Sequence, residues 1–341
     1  MKTKIAIASA FIAASSFSTA EIVVNDFLSF EGFVDMSYSH IQVEDDFAAQ
    51  DIESENSFQI DQVEISWLFD FDPVTAQIDL QYEDLPGDTT AVEQAFVTYH
   101  FDNGGAITAG RYASMLGFEA FEPTGLYQYS TAYSIQNYDG AVTVDGYAQG
   151  VKYTQEGEST FFGISLQDEA FEIDTDRLGG NGESSYAVEI AGAYYMDNGL
   201  SFFLGGAYED ADAGDTYALN TYVTFETGAW IFAAELNYIN TERGIVETDN
   251  AAGNDEDGFS GLLMANFAYS DQASLTGRFS YIQADEDGTS DDHQYFKYTV
   301  AHSYAFTDNL LLVTEFSYVD GERISQDYNE LFGAVELLFT F

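Results

Sequence analysis

Apolar and polar residues alternate along most of the chain with a period of two. Residues 76–82 place Ala76, Ile78, Leu80 and Tyr82 on one face and Gln77, Asp79 and Gln81 on the other. Residues 230–238 set Trp230, Phe232, Ala234, Leu236 and Tyr238 opposite Glu235 and Asn237. Residues 331–341 set Leu331, Val335, Leu337, Phe339 and Phe341 opposite Glu336 and Thr340. Successive side chains of a strand point to opposite faces, so each segment reads as a strand with one apolar and one polar face. Such segments run for about 9–11 residues and end in aromatics, as membrane-crossing barrel strands do, whereas strands of soluble proteins run nearer to about 5–6.

The pattern predicts sixteen strands, at 27–39, 58–70, 74–83, 92–101, 105–113, 146–155, 159–168, 185–196, 199–209, 215–226, 229–241, 259–270, 273–284, 293–306, 309–320 and 328–341. Alternate connections are very short and carry turn residues: Phe71-Asp72-Pro73, Asp102-Asn103-Gly104, Glu156-Gly157-Glu158, Asp197-Asn198, Thr227-Gly228, Asp271-Gln272 and Thr307-Asp308. Asp, Asn and Gly serve tight hairpins because they tolerate the required backbone angles or hydrogen-bond the turn locally. The other connections are generally longer and acidic, as at 40–57, 169–184, 242–258 and 285–292. Short turns at one end and long loops at the other, with an even strand count, predict an all-β transmembrane antiparallel β-barrel, with short periplasmic turns and long acidic extracellular loops. Closure is required because lipid offers no partner to an open sheet edge. Tyr38, Tyr82, Tyr99, Tyr153, Tyr238, Tyr269, Tyr281 and Tyr318 fall at strand ends, where a ring can sit at headgroup level.

Composition sharpens this picture. The chain has 59 Asp and Glu against 9 Lys and Arg, which taken alone suggests a disordered acidic protein, but 46% of its residues are hydrophobic and 16% aromatic. That apolar content suffices to fold. The carboxylate excess excludes nucleic acid as a partner, since phosphate binding needs clustered Lys and Arg. The absence of Cys excludes disulfides, thiolate metal sites and a cysteine nucleophile. Met1-Lys2-Thr3-Lys4, the apolar run 5–14 and Ser18-Thr19-Ala20 predict a signal peptide over 1–20, cleaved after Ala20, and export of the barrel 21–341 to the outer membrane. Beyond it no apolar run is long enough for a transmembrane helix.

One connection differs in kind. Residues 114–145 carry many aromatic and small residues and only four carboxylates, Glu119, Glu122, Asp139 and Asp145. Such apolar content predicts packing inside the barrel, with Glu119, Glu122, Tyr127 and Tyr129 at a constriction.

The signal, the sixteen strands and the terminal Phe341 resemble Gram-negative outer-membrane porins. Within 110–133, Gly117, Phe118, Glu119, Pro123, Leu126, Tyr127 and Ser130 resemble the best-marked segment of the OmpL-like, beta-barrel porin-2 group. The resemblance implies that Phe341 is read by the barrel-insertion machinery and that the loop after the fifth strand folds inward to narrow the channel. It implies a homotrimer if the general porins are the guide, whereas an OmpL-like barrel is compatible with a monomer. General porins also carry clustered Arg opposite that loop, and this chain has only five Arg, so their anion-handling eyelet is not expected.

If the apolar phase faces lipid, the other phase lines the lumen with Glu31, Asp35, Glu64, Asp79, Glu189, Glu235, Glu315 and Glu336, and with Lys152, Arg278 and Lys297. Six of the carboxylates fall on neighbouring strands once the barrel closes and predict one acidic wall. Such a wall favours cations in a water-filled pore; the alternative is that these groups only hydrate or pair, for example Glu315 with Lys297. The acidic runs 209–215, 254–258 and 285–292 match no calcium-loop spacing, nor does 179–183 form a repeat, and no metal site or cofactor is expected. Solvation and loose divalent bridging to lipopolysaccharide suit those runs better. Ser39-His40 and His302-Ser303 are adjacent on strands and point to opposite faces, so no catalytic dyad and no enzyme is expected.

The expected function is therefore a porin that passes small hydrophilic solutes passively, with a preference for cations. The partners expected are outer-membrane lipids, lipopolysaccharide, the insertion machinery and the permeating solutes. The competing expectation is a non-conducting structural or adhesive barrel plugged by its loops, with Phe33 and Tyr195 closing the path. A substrate-specific channel would need an organised site, such as an aromatic slide of Tyr127, Tyr129 and Tyr133.

Overall fold

The computed structural model describes residues 21–46, 52–82, 90–136, 146–171, 186–211, 214–242, 256–286 and 293–341. The predicted signal peptide 1–20, the tips 179–183 and 285–292 (from 287 onward), and the end of the long loop, 137–145, lie outside them. Seventeen strands form one antiparallel sheet: β1 Ile22–Asn25, β2 Leu28–Asp45, β3 Ile52–Asp70, β4 Val74–Tyr82, β5 Thr90–His100, β6 Gly105–Ala113, β7 Tyr147–Glu156, β8 Thr160–Gln167, β9 Tyr186–Tyr195, β10 Leu200–Ala211, β11 Gly214–Thr227, β12 Trp230–Thr241, β13 Glu256–Ser270, β14 Ala273–Glu286, β15 His293–Thr307, β16 Leu310–Arg323 and β17 Gln326–Thr340. From β2 onward each strand pairs with the next. β17 returns to β2 from Tyr328↔Asp45 to Thr340↔Phe33, which closes a sixteen-stranded barrel. The ladder extends past the last strand, where Gly32 and Phe341 exchange both backbone hydrogen bonds, at 2.8 and 2.9 Å.

The outward face is a lipid-compatible band that includes Val97, Ile164, Leu204, Leu236, Leu263 and Phe316, all exposed. Aromatic pairs mark both rims. Tyr99–Phe101, Trp230–Phe267 and Tyr304–Phe306 cluster near the short turns, and Tyr38–Phe58, Tyr217–Tyr238 and Tyr281–Phe296 near the loops.

Several strands are longer than the alternation predicts. β2 and β3 reach to Asp45 and back from Ile52, so most of the acidic link expected at 40–57 is sheet. The links expected at 210–214 and 321–327 are tight hairpins, with Ala211 paired to Gly214 and Arg323 to Gln326. In the second, Ile324 and Ser325 both take positive φ, 51° and 59°, as the twist of a two-residue hairpin requires. The physical reason for the difference is that strands projecting into water are polar on both faces. Their ladder hydrogen bonds continue while the period-two signal disappears.

Candidate functional site

The residues that matter line the inside of the barrel, and the loop between β6 and β7 occupies much of it. A loop inside a barrel has backbone N–H groups that no neighbouring strand satisfies, and leaving them unpaired is costly. Here the wall carboxylates accept them. Glu189 on β9 takes the Met115 N–H at 2.6 Å and the Ser114 hydroxyl at 2.8 Å. Glu235 on β12 takes the Phe118 N–H at 2.7 Å and the Tyr133 hydroxyl at 2.9 Å. Glu315 on β16 takes the N–H and hydroxyl of Ser130, and Glu330 on β17 takes the Gln136 N–H at 2.8 Å. Asn220 on β11 accepts from Gly117 N–H at 3.1 Å. Each contact satisfies a loop donor that would otherwise be left unpaired, so together they staple the loop to the wall.

The loop carbonyls meet the wall cations. Arg278 on β14 donates to the Ser130 and Thr131 carbonyls and pairs with Glu119. Glu119 is fixed in turn by the Ala132 N–H and Gln128. Lys297 on β15 donates to the carbonyls of Thr131 and Ser134 at 3.1 and 2.7 Å. Lys297 and Glu315 thus turn to the loop, not to each other: among the described residues the ion pairs are Arg278–Glu119 and Arg323–Asp45. Lys152 on β7 donates to the Ala113 carbonyl and lies 4.3 Å from the centre of the Tyr112 ring.

Apolar side chains of the loop fill the remaining space on the same side. Phe118, Tyr127 and Ala132 pack with Ala233, Leu262 and Met264, and Ile135 packs with Ile282, Tyr295 and Tyr328. Met115 and Leu116 fit where the wall has no side chain. A Cβ on Gly163 would stand 2.2 Å from the Met115 sulfur, and one on Gly205 would stand 2.3 Å from Leu116. Gly205→Val is therefore expected to eject Leu116 and cost about 1–3 kcal/mol through overpacking, read as a lower thermal unfolding temperature in detergent.

The loop is held to the wall from β9 to β17, and a cavity of about 610 Å³ remains beside it, lined by residues of β2 to β11 and by the first part of the loop, and extending from the short-turn end up to the loop. Glu31, Glu64, Glu119, Glu122 and Glu156 line it, with Lys152 as the counter-charge and Phe33 and Tyr195 at its wall. The sequence-expected charged residues of the lumen therefore have different surroundings. Glu31, Glu64, Glu119, Glu122 and Lys152 border this cavity. Glu189, Glu235, Glu315, Arg278 and Lys297 lie inside the barrel but bind the loop, and Asp35 and Glu336 are buried on the inward face among the strands that the loop covers. Asp79 is buried and accepts from Gln77 and Gln94. The single acidic wall is thus split by the loop.

Tyr127, Tyr129 and Tyr133 build no slide along this cavity. Tyr127 is buried in the apolar cluster, Tyr129 donates to Asp61 and stacks on Phe332 at 5.8 Å, and Tyr133 binds Glu235.

Sequence reasoning missed Asp61 and Glu93. Asp35 pairs with Gln62 and Met36 with Ile60, leaving Asp61 as an extra residue; likewise Asp79 pairs with Gln94 and Leu80 with Val92, leaving Glu93. These are β-bulges, which insert one residue and redirect its side chain. Strict alternation cannot find them. Glu330 and Asn220 were within reach, since they share the inward phase of Glu336 and of Glu235's neighbours.

The barrel resembles solved outer-membrane structures at low sequence identity. OmpT of Vibrio cholerae superposes with a TM-score of 0.64 at 12% identity, covering 94% of this chain and 100% of its own. The outer membrane channel DcaP of Acinetobacter baumannii gives 0.68 at 13%, covering 92% and 97%. An anion-selective porin from Comamonas acidovorans gives 0.65 at 14%, covering 92% and 99%. No curated protein matches the chain. The family model described as "Putative beta-barrel porin-2, OmpL-like" matches residues 28–341, and the chain belongs to that family of outer-membrane porins.

Proposed function

We propose that this barrel passes small hydrophilic solutes by passive diffusion, with a preference for cations, through the space left beside the inward loop. The observation that carries the reading is the cavity of about 610 Å³, bordered by five carboxylates and a single lysine. A negative potential inside low-dielectric walls concentrates cations and repels anions. Loop 114–136 sets the constriction, where it presents Glu122 and the Glu119–Arg278 pair. The Comamonas relative is described as anion-selective; the lining charge argues for the opposite preference in this chain.

The test is swelling of proteoliposomes that contain the refolded chain. Small neutral and cationic solutes are expected to enter faster than anions of the same size. Equal exclusion of all three by a folded barrel would favour the second reading, a structural or adhesive barrel plugged by the densely packed loop. One structure of Vibrio cholerae OmpT is a trimer form, which supports a homotrimer here. The outer membrane, with lipopolysaccharide around the acidic loops, is the compartment that this reading requires. Cleavage after Ala20 and recognition of Phe341 by the insertion machinery belong to the same proposal.

The reading has a pH dependence. Burial, then the charge of Glu93, pushes the Glu122 carboxyl up to about 7, while the Tyr147 and Gln62 hydrogen bonds oppose the shift. Glu64 and Glu93 on the wall and the Tyr147 hydroxyl are the groups that face it. A carboxyl whose folded value is raised favours the folded loop most at low pH, and that contribution is lost as pH rises through about 7. In metal-free buffer, cation preference is therefore expected to fall as pH drops from 8 to about 6, and loop anchoring to tighten over the same interval. Reversal potentials recorded across that range check it.

A further inference from the structure

We propose that Glu64, Glu93 and Glu122 bind one divalent cation of the calcium class, which locks the inward loop to the barrel wall. The three residues come from separate elements. Glu64 points inward from β3, Glu93 is the extra residue of the β5 bulge, and Glu122 precedes the short 3-10 turn Pro123–Gly125 of the loop. One carboxylate oxygen from each lies within 4.8 Å of the other two. Calcium takes oxygen ligands at about 2.3–2.6 Å, so two ligands across one ion stand up to about 5 Å apart. The cluster has the size that such an ion requires.

A second observation points to the same ion. Glu64 is only 6% exposed, and its Oε2 has no hydrogen-bond partner; the Oε2 of Glu93 is also buried without one. No Lys or Arg compensates them, since the two ion pairs among the described residues involve Glu119 and Asp45. Buried carboxylates pair with a cation or bind a metal, because an uncompensated buried charge is very costly. The remaining oxygens are held in place. Ser66 donates to Glu64 Oε1 at 2.9 Å, Gln62 to Glu122 Oε2 at 3.1 Å, and the Tyr147 hydroxyl to Glu122 Oε1. Outer partners of this kind orient the ligands of a metal site.

The donor set names the class of ion. All the ligands are hard carboxylate oxygens, with no His or Cys, which excludes preference for soft transition metals. Three flexible carboxylates can supply several oxygens at once, which suits the irregular six-to-eight coordination of calcium better than the strict octahedron of magnesium, which keeps most of its waters. Glu64 and Glu122 border the cavity, so the ion has a path from water. The inference does not depend on conduction: a plugged barrel could hold the same ion. Without an ion the cluster must hold protons shared between its carboxyls, and that is the competing account.

The experiment is calcium titration of the refolded full chain, stripped with EDTA, followed by calorimetry and thermal unfolding, for wild type, Glu93→Gln and Glu122→Gln. Gel migration before and after heating confirms that each variant is folded; if one fails to fold, the other carries the test. Wild type is expected to show one saturable site per chain above the loose binding of the acidic loops, and a calcium-dependent rise in unfolding temperature. Either variant is expected to weaken that site about tenfold or more and to abolish the rise. Identical calcium responses in wild type and variants would overturn the proposal. So would the absence of a saturable site, and variants more stable than wild type in EDTA with no calcium response would assign a shared proton instead.

Discussion

Replacing Arg278 with Met is expected to release the lumen loop and raise single-channel conductance several-fold, with added current noise. The guanidinium of Arg278 holds Glu119 and the carbonyls of Ser130 and Thr131 together, and it is buried. Removing one partner of a buried ion pair costs about 3–5 kcal/mol, because the other charge is left uncompensated. The barrel need not bear that loss. Its ladder hydrogen bonds run from β2 to β17 without the loop, so the cheaper response is for residues near 119–131 to leave the wall. A loss of about 3 kcal/mol shifts a two-state equilibrium by about a hundredfold, enough to populate the released state. Arg278→Lys, which keeps the charge but not the forked geometry, is expected to fall between the two. Unchanged conductance in Arg278→Met would mean that the loop does not set the constriction.

Changing Glu31, Glu64 and Glu122 together to Gln is expected to remove most of the cation preference while leaving the barrel folded. These groups are three of the five carboxylates bordering the cavity, and none of them accepts a hydrogen bond in the staples at Met115, Phe118, Ser130 and Gln136. At pH 8 each ionised carboxylate acts on a passing ion at about 5 Å with roughly 1 kcal/mol even at the dielectric constant of water, so Glu31 and Glu122 alone shift the cation-to-anion ratio by about tenfold. Screening gives a second check. The Debye length is about 10 Å at 0.1 M salt and about 3 Å at 1 M, so selectivity in the unaltered chain is expected to weaken as salt rises. The recordings need EDTA, so that no bound divalent ion masks the carboxylates.

Much of the fold was legible in the sequence because a membrane-spanning barrel obeys one simple rule. Lipid on one side and water on the other force alternation, and segments such as 230–238 display it without interruption. The turn residues Asp102-Asn103-Gly104 and Asp197-Asn198 then fixed which end is short. The inward phase of Glu235, Glu315 and Arg278 could be read in the same way, but not their partners. Parity gives the direction of a side chain and says nothing of what waits 3 Å away. These groups serve the backbone of the loop, a role that depends on a fold of 114–136 with no periodic signal. The bulges at Asp61 and Glu93 escaped for a sharper reason: each breaks the alternation that the reading assumes. Nothing in the alternation singles out Gly163 and Gly205, the recesses that admit Met115 and Leu116.

Whether the loop acts as a constriction or as a plug rests on whether the space beside it conducts. The most direct test is single-channel recording of the refolded chain in a planar bilayer under a KCl gradient. Steady open steps with a cation-selective reversal potential are expected. A folded barrel that carries no current, or one whose reversal potential is anion-selective, would contradict the account.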